Sequence, residues 1–380
     1  MQRGRQFQPM QRVREIRGLL GLALQIWQAK SSPLLLCGAA IASFCKPAAL
    51  LVRVALESQM GEPGERNGEA AGVDVCVCTF RRASVWDTLA SLAAQKGAPP
   101  MRVVIADNDD TPSAMPVAQR AQTELGLNVC YVHAPACNIS IARNACLDAA
   151  RADLIAFIDD DEIAEPNWLT SLISRIGEYG AVFGPVPARY PAEAPNWAVK
   201  GDFCSTRPTI LAGGEIKTGY SGNVLLRRAA IGELRFDPEL GRVGGEDTMF
   251  FAILHTRGVK LGYAPEAVAG EAVPANRLRL AWLLRRSFRA GQTAARTARL
   301  RGQGALTIAL LSVAKASYCG LAALITLWSP VGFRRNLIRG ALHVGALAKA
   351  MGARDLTMYG DANPAGPQAA RPTNAAPTGV

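Results

Sequence analysis

An α/β fold, with a mostly parallel sheet and helices on both faces, is predicted for the central part of this 380-residue chain. Three observations carry that prediction. From Val73 onward, short apolar runs alternate with stretches whose apolar residues recur at helical spacing. Three of the first four apolar runs end in polar or charged residues, as in sheets that bind ligands beyond the carboxyl ends of their strands. Charge is also partitioned. Residues 57–276 carry 19 bases against 28 acids, whereas 1–56 carry eight Lys/Arg and one acid, and 277–354 carry fourteen Lys/Arg and no Asp or Glu. The length suffices for one sizeable catalytic domain with appendages.

The elements follow in order. Residues 1–56 form a basic, apolar N-terminal extension without a small-residue cleavage site, so secretion is not indicated. Two readings stay open for it: a membrane-surface anchor, or sequence upstream of a true initiator at Met60. Polar residues 57–72 read as a linker. "VDVCVCTF" (73–80) is the first strand, with Cys76 and Cys78 on one face. The nine cysteines are an odd, scattered set, which favours reduced thiols over a disulfide framework. Ser84 is placed to cap a helix whose Val85, Leu89 and Leu92 share a face. "MRVVIAD" (101–107) and "NVCYVHA" (128–134) are further strands, separated by a helix after Pro116 and followed by one near Ile141–Ala150. "DLIAFIDDD" (153–161) is the fourth strand. Pro166 then marks a helix start, with Leu169, Leu172, Ile173 and Ile176 as its stripe.

Beyond residue 300 the composition changes, and 301–352 read as apolar and amphipathic membrane-associated helices. Residues 305–328 are long enough to span, since roughly 20 residues suffice. Lys315 near the middle weighs against spanning by about 2.5–3.5 kcal/mol. A hairpin or in-plane amphipathic helix keeps that lysine at the interface; a soluble helical subdomain is the remaining alternative. Residues 353–380 are Pro/Ala-rich and read as a disordered tail. The basic ends suit an anionic membrane surface. No helix-turn-helix, zinc-finger or aromatic RNA-binding pattern occurs, so nucleic acid is not an expected partner.

Two acidic groups carry chemistry. At the end of the fourth strand Asp159 and Asp161 share a side, about 6–7 Å apart, where they can share a hard divalent cation such as Mn²⁺ or Mg²⁺, or one can bind metal while the other takes a hydroxyl. Asp160 points the other way, and Asp160 and Glu162 are expected to be replaceable. Glycines precede Glu246-Asp247, on the first turn of a helix carrying Phe250, Ile253 and Leu254 and ending near Gly258.

The ordered set "VCVCTFRR", "VIADND", "ISIARN", "FIDDDE", "GYSGNVLLRR" and "GGEDTMFF" resembles the family 2 inverting glycosyltransferases of GT-A fold, in particular bacterial exopolysaccharide enzymes of the succinoglycan glucosyltransferase type. The resemblance covers residues 73–300 and implies a Rossmann-like GT-A domain there. By the same resemblance, Thr79, Phe80 and Arg81 would line the nucleotide pocket, and Asp107 would hydrogen-bond uracil beside Asn108. Arg143 would approach the diphosphate. Asp159 would contact ribose or sugar hydroxyls, and Asp161, with Asp159, would hold Mn²⁺ or Mg²⁺ in a DXD motif. Asp247 would be the general base, with Glu246, Ser221, Gly222 and Asn223 shaping the acceptor side.

Related enzymes carry a histidine after a late strand, where this chain has Gly270-Glu271. The QxxRW pattern of processive synthases is absent; Arg285, Arg286 and Arg289 occupy the comparable region, with three readings open: closing over the diphosphate, facing lipid, or forming a solvated basic helix face. The resemblance implies a non-processive enzyme that moves one sugar from a UDP-sugar donor to a lipid-linked or polysaccharide-precursor acceptor. Its site of action would be the cytoplasmic face of the inner (plasma) membrane, with peripheral attachment or one membrane segment. The alternative is an inactive relative acting as a membrane scaffold or nucleotide-sugar binder.

Overall fold

The computed structural model describes residues 72–357. The expected N-terminal extension, all but the last residue of the linker, and the tail beyond 357 lie outside the described residues. The strands are β1 (Val73–Thr79), β2 (Met101–Asp107), β3 (Asn128–His133), β4 (Leu154–Ile158), β5 (Glu162–Ala164), β6 (Ala181–Phe183), β7 (Ala188–Arg189), β8 (Asn223–Arg227), β9 (Leu261–Tyr263) and β10 (Ala269–Ala272). The helices are α1 (Val85–Ala93), α2 (Met115–Glu124), α3 (Ile139–Ala149), α4 (Trp168–Ile176), α5 (Asn196–Gly201), α6 (Arg228–Ile231), α7 (Glu246–Thr256), α8 (Leu280–Leu300), α9 (Ala305–Ile325) and α10 (Pro330–Ala350).

Seven strands form the main sheet in the order β3-β2-β1-β4-β8-β6-β9. The first four are parallel, β8 runs antiparallel to both β4 and β6, and β9 is parallel to β6. Alternation along β1 explains the two cores. Val73, Val75 and Val77 face a cluster built with Leu89 of α1, Ala118 of α2 and Trp168 of α4. Cys76 and Cys78 face the opposite cluster, built with Cys146 of α3 and Phe250, Phe251 and Leu254 of α7. The expected reduced thiols are there: Cys78 and Cys146 sulfurs lie 3.8 Å apart, buried and free.

Two local expectations change. Ser84 precedes α1, but its side chain makes no capping bond, because its own backbone is already helical. The fourth strand stops at Ile158, not Asp161: Asp159–Asp161 turn the chain into β5. Strand alternation therefore does not govern where those acids point. β5 joins a second sheet, β5-β10-β7, whose antiparallel register sets Glu162 directly opposite Glu271.

Past residue 277 the chain forms three long helices. α8 and α10 meet backbone to backbone at two glycines. A Cβ on Gly291 would lie 1.8 Å from the Leu342 carbonyl oxygen, and one on Gly345 would lie 1.9 Å from that of Phe288. Residues 353–357 pin the same pair: Gln292 donates to the Arg354 carbonyl at 2.9 Å, and Asp355 pairs with Arg296 and Lys349. α9 returns along α10, with Cys319 against Gly340 and Ile308 near Ala346 and Ala350, and it also meets Ala295 of α8.

Gly345→Ala is expected to cost roughly 1–3 kcal/mol in urea unfolding, because the methyl meets rigid backbone. Gly340→Ala, whose Cβ would meet Cys319 Cβ at 3.5 Å, is expected to be neutral or stabilising by about 1 kcal/mol. Equal effects would refute the backbone-contact account.

Candidate functional site

The carboxyl edge of β1, β4 and β8 gathers an acidic cleft. Thr79, at the end of β1, donates through Oγ1 to Asp160 at 2.8 Å. Arg82 follows: its Nε lies 3.5 Å from Asp160, and its guanidinium pairs with Asp161. Asp161 is also 3.9 Å from Arg277, which pairs with Glu271. Arg277 comes from the 3₁₀ turn Ala275–Leu278. Asp159 remains 45% exposed, with Arg143 at 3.7 Å. Four carboxylates (Asp159, Asp161, Glu162 and Glu271) thus act on one another, with Arg82, Arg143 and Arg277 as counter-ions.

Electrostatics of the cluster follow from that crowding. Burial pushes the Asp160 carboxyl up to about 7, opposed by Arg82 and assisted by Asp161. Burial pushes Glu162 well above the usual range, and the charges of Asp159, Asp161 and Glu271 add to it. Asp159 is raised by its recess and by Asp161 and Asp247, against the pull of Arg143. Glu162 Oε2 is enclosed and has no hydrogen-bond partner. Asp160 and Glu162, expected to be replaceable, are both buried, because the chain turns after Ile158 and folds them inward.

The second acidic pair opens α7, after Gly244 and Gly245 in left-handed conformation. Glu246 is buried and pairs with Arg143. Burial, then the neighbouring Asp247, raises its carboxyl against the pull of Arg143. Asp247 is only partly buried, and its Oδ1 accepts from Thr248 N at 2.5 Å. Arg143, expected at the diphosphate, is instead enclosed over the Phe236 ring and joins Asp159 to Glu246.

Other expected residues divide. Thr79 and Arg81 line a cavity of about 330 Å³ together with Arg82, Ser113, Ala114 and Val117. Phe80 lies under the Arg81 guanidinium at 5.0 Å, and Arg81 pairs with Asp109 at 2.6 Å. Asp107 does not face that cavity. It is fully buried and accepts from Asp109 N, Ala114 N and Tyr131 Oη, so the expected uracil contact is corrected to a scaffold role. Asn108 is likewise buried and accepts from Asn138 N.

Asn223 is also spent on the scaffold: it accepts from Trp168 Nε1 and donates to the carbonyls of Pro185 and Ala267. Ser221 is buried beside it in sequence. Gly222 does reach the site, since a Cβ there would lie 2.5 Å from Glu162 Oε1 and 2.9 Å from Asp159 Oδ2. Arg285 and Arg286 make no ion pair with the acids among the described residues; Arg285 is exposed, and Arg286 lies over Trp282 at 5.5 Å. Arg82, Arg277 and Glu271 were missed as site residues. The "FRR" at a strand end offered a signal for Arg82, and Gly270-Glu271, standing where related enzymes carry a histidine, offered one for Glu271.

Asp159 and Asp161 suit a divalent cation. Their donors are hard oxygens, and the enclosed Glu162 Oε2 beside them has no hydrogen-bond partner. Among the described residues no three His, Cys, Asp or Glu side chains already form a cage, so a ligand's oxygens would complete the shell.

Comparison with known proteins adds three likenesses. A family model described as Glycosyl transferase family 2 matches residues 74–235. Succinoglycan biosynthesis protein ExoM of Rhizobium meliloti (strain 1021) is 43% identical over 301 residues, spanning 77% of this chain and 97% of that protein. Glucosyl-dolichyl phosphate glucuronosyltransferase of Haloferax volcanii is 26% identical over 239 residues, spanning 57% of this chain and 74% of that protein. Among solved structures, the mannosyltransferase PcManGT from Pyrobaculum calidifontis, in complex with GDP-Man and Mn²⁺, superposes with a TM-score of 0.52 at 19% identity. That match covers 82% of this chain and 96% of the other, and it bears on the fold.

Raised carboxyls fix a pH dependence. Between about pH 4 and 7 the unfolded chain releases the Asp160 proton while the folded protein keeps it, so stability falls as pH rises. Without divalent cation or nucleotide, the melting temperature is expected to drop over that window, and Asp160→Asn to flatten the drop. An unchanged slope in the variant would overturn the assignment.

Proposed function

The chain belongs to glycosyltransferase family 2 and has the GT-A fold, and on that premise we propose that it transfers one sugar from a UDP-sugar to a lipid-linked or polysaccharide-precursor acceptor, by single displacement with inversion. The observation that carries the reading is the pairing of two carboxylate sets across one cleft. Asp159 and Asp161 leave the end of β4, and Asp247 opens α7, close enough that the charges of Asp161 and Asp247 both act on Asp159.

Each residue then has a task. The cavity beside Thr79, Arg81 and Arg82 takes the nucleoside. Asp161 and Asp159 would hold Mn²⁺ or Mg²⁺ at this edge of the sheet. When bound, the ion supplies Lewis-acid stabilisation of charge on the leaving phosphate oxygens. Arg82 and Arg277 sit against Asp161 and are the cations at hand for the same diphosphate. Asp247 takes the proton of the acceptor hydroxyl, leaving its oxygen able to attack the anomeric carbon. The Thr248 amide holds one Asp247 oxygen, which leaves the other for that proton. As the new C–O bond forms, the bond to the diphosphate breaks, and its electron pair leaves with UDP. Arg143, tied to Glu246, keeps the base-bearing helix in place relative to Asp159.

The 43% identity to ExoM supports a place in exopolysaccharide synthesis. The basic, apolar C-terminal helices support an acceptor met at the cytoplasmic face of a membrane.

Released UDP is the readout: a donor-sugar screen with Mn²⁺ and membrane lipid extract is expected to identify one preferred donor. Asp161→Ala and Asp247→Asn are each expected to lower kcat by about 10²–10⁴. A fully active Asp161→Ala protein would sink this mechanism.

A further inference from the structure

The outermost element of the C-terminal unit is α9, and its two faces differ. Ile308, Ser312, Cys319 and Ala323 are buried, and this side packs on α10. Five residues, Leu306, Leu310, Val313, Leu321 and Leu324, recur at helical spacing on the opposite side, beside the exposed Leu311, Tyr318 and Ile325, which widen the apolar surface to an arc of about 160°. All five are exposed, Leu306 at 72%, and Trp328 continues the row at 77%. A row of that size facing water is uncommon on a soluble monomer. Lys315, the residue that weighs against a membrane role, is not on this side. It lies near His343 of α10, whose imidazole pKa is lowered by burial and then by the charges of Lys315 and Arg339.

The helix passes the length and composition test for a membrane span, yet its packing weighs against spanning. Antiparallel pairing ties α9 to α10 from end to end: Thr326 meets Asn336 at 3.1 Å, Cys319 meets Gly340, and Ile308 packs with Ala346 and Ala350. α10 carries Arg334, Arg335, Arg339 and Lys349, and it is joined to α8 through the two glycine contacts described above. α8 in turn packs on the catalytic domain, with Thr293 against Gly245. A bilayer-crossing α9 would draw Arg339 of α10 into hydrocarbon, at a cost of about 2.5–3.5 kcal/mol, or peel apart close-packed helices.

We propose that α9 lies in the plane of one leaflet of an anionic membrane, inserting the Leu306–Leu324 row and Trp328 to shallow depth, as a monotopic anchor. Charge complementarity selects this occupant over a second protein. Residues 277–354 carry fourteen Lys/Arg and no acid, and Arg335 and Arg339 are exposed on the adjoining helix. The neighbouring Asp355 is already paired with Arg296 and Lys349. This deepens the membrane part of the proposed function and rests on it, but not on the transfer chemistry.

The test uses the full chain without donor or acceptor. Leu310→Cys and Leu321→Cys are labelled with an environment-sensitive fluorophore and mixed with phosphatidylcholine vesicles containing a quarter phosphatidylglycerol. Doxyl-lipids quench at known depths. Eleven residues separate the labels by about 16 Å along a helix, so a span gives clearly different depths and an in-plane helix gives equal, shallow ones. The expected result is equal shallow depth, with binding lost in vesicles lacking phosphatidylglycerol and weakened at least tenfold by Arg335→Glu with Arg339→Glu. Unequal depths, no vesicle binding, or labels already shielded before vesicles are added would each overturn the proposal. Activity measured on a soluble acceptor analogue stays separate, so loss of transfer and loss of anchoring can be told apart.

Discussion

Crowded negative charge at the carboxyl edge of the sheet is the constraint on which the rest of this structure depends. Asp159, Asp160, Asp161 and Glu162 follow one another, and the small second sheet sets Glu271 directly opposite Glu162. Like charges facing each other across a strand pair are unfavourable, and burial adds a desolvation cost for each. The protein offsets this with guanidinium groups drawn from distant sequence: Arg82 from the β1–α1 loop, Arg143 from α3, and Arg277 from the turn before α8. The residual imbalance appears as carboxyls held above their usual range and as an enclosed Glu162 oxygen without a partner. A cleft with this excess of carboxylates over guanidinium groups favours a cation.

Arg143 connects that constraint to the other half of the cleft. It is a buried guanidinium shared between Asp159 and Glu246, residues on opposite sides of the site. Removing a partner of a buried pair leaves an uncompensated charge, so the geometry of Asp247, one residue along, is bound to the donor side electrostatically as well as sterically. Gly222 and Gly245 serve the same end. One allows Asp159 and Glu162 to close on β8, and the other allows α7 to meet Thr293 of α8.

Much of this was legible in the sequence where a signal was local. β1 to β3 were long enough, and apolar enough, to fix their bounds within a residue, and the polar strand ends pointed to the right edge of the sheet. β6 and β9 have three residues each, too few for any period to register. The site was less readable because its pairings are long-range. Glu246 meets Arg143 across 103 positions, and Glu271 meets Glu162 only through sheet register. Asp107 misled for a related reason. A strand-end aspartate reads as a ligand contact until Tyr131 and two backbone amides are seen to enclose it. Asp160 and Glu162 misled because strand alternation was extended through a turn.

The same long-range logic decides what α9 can do. Its composition alone allows a span, since 21 mostly apolar residues cover a bilayer core. Its neighbours weigh against that option, because α10 carries the charges and α8 fixes α10 to the catalytic domain. α8 also touches the loop that delivers Asp247, through Thr293 at Gly245 and Arg289 at the Val243 carbonyl. An anchor built on α9 is therefore rigidly connected, helix by helix, to the residue proposed to deprotonate the acceptor. Docking the helices on a leaflet would set the height of Asp247 above it, so the acceptors served would be those whose reactive hydroxyl reaches that height from the lipid surface.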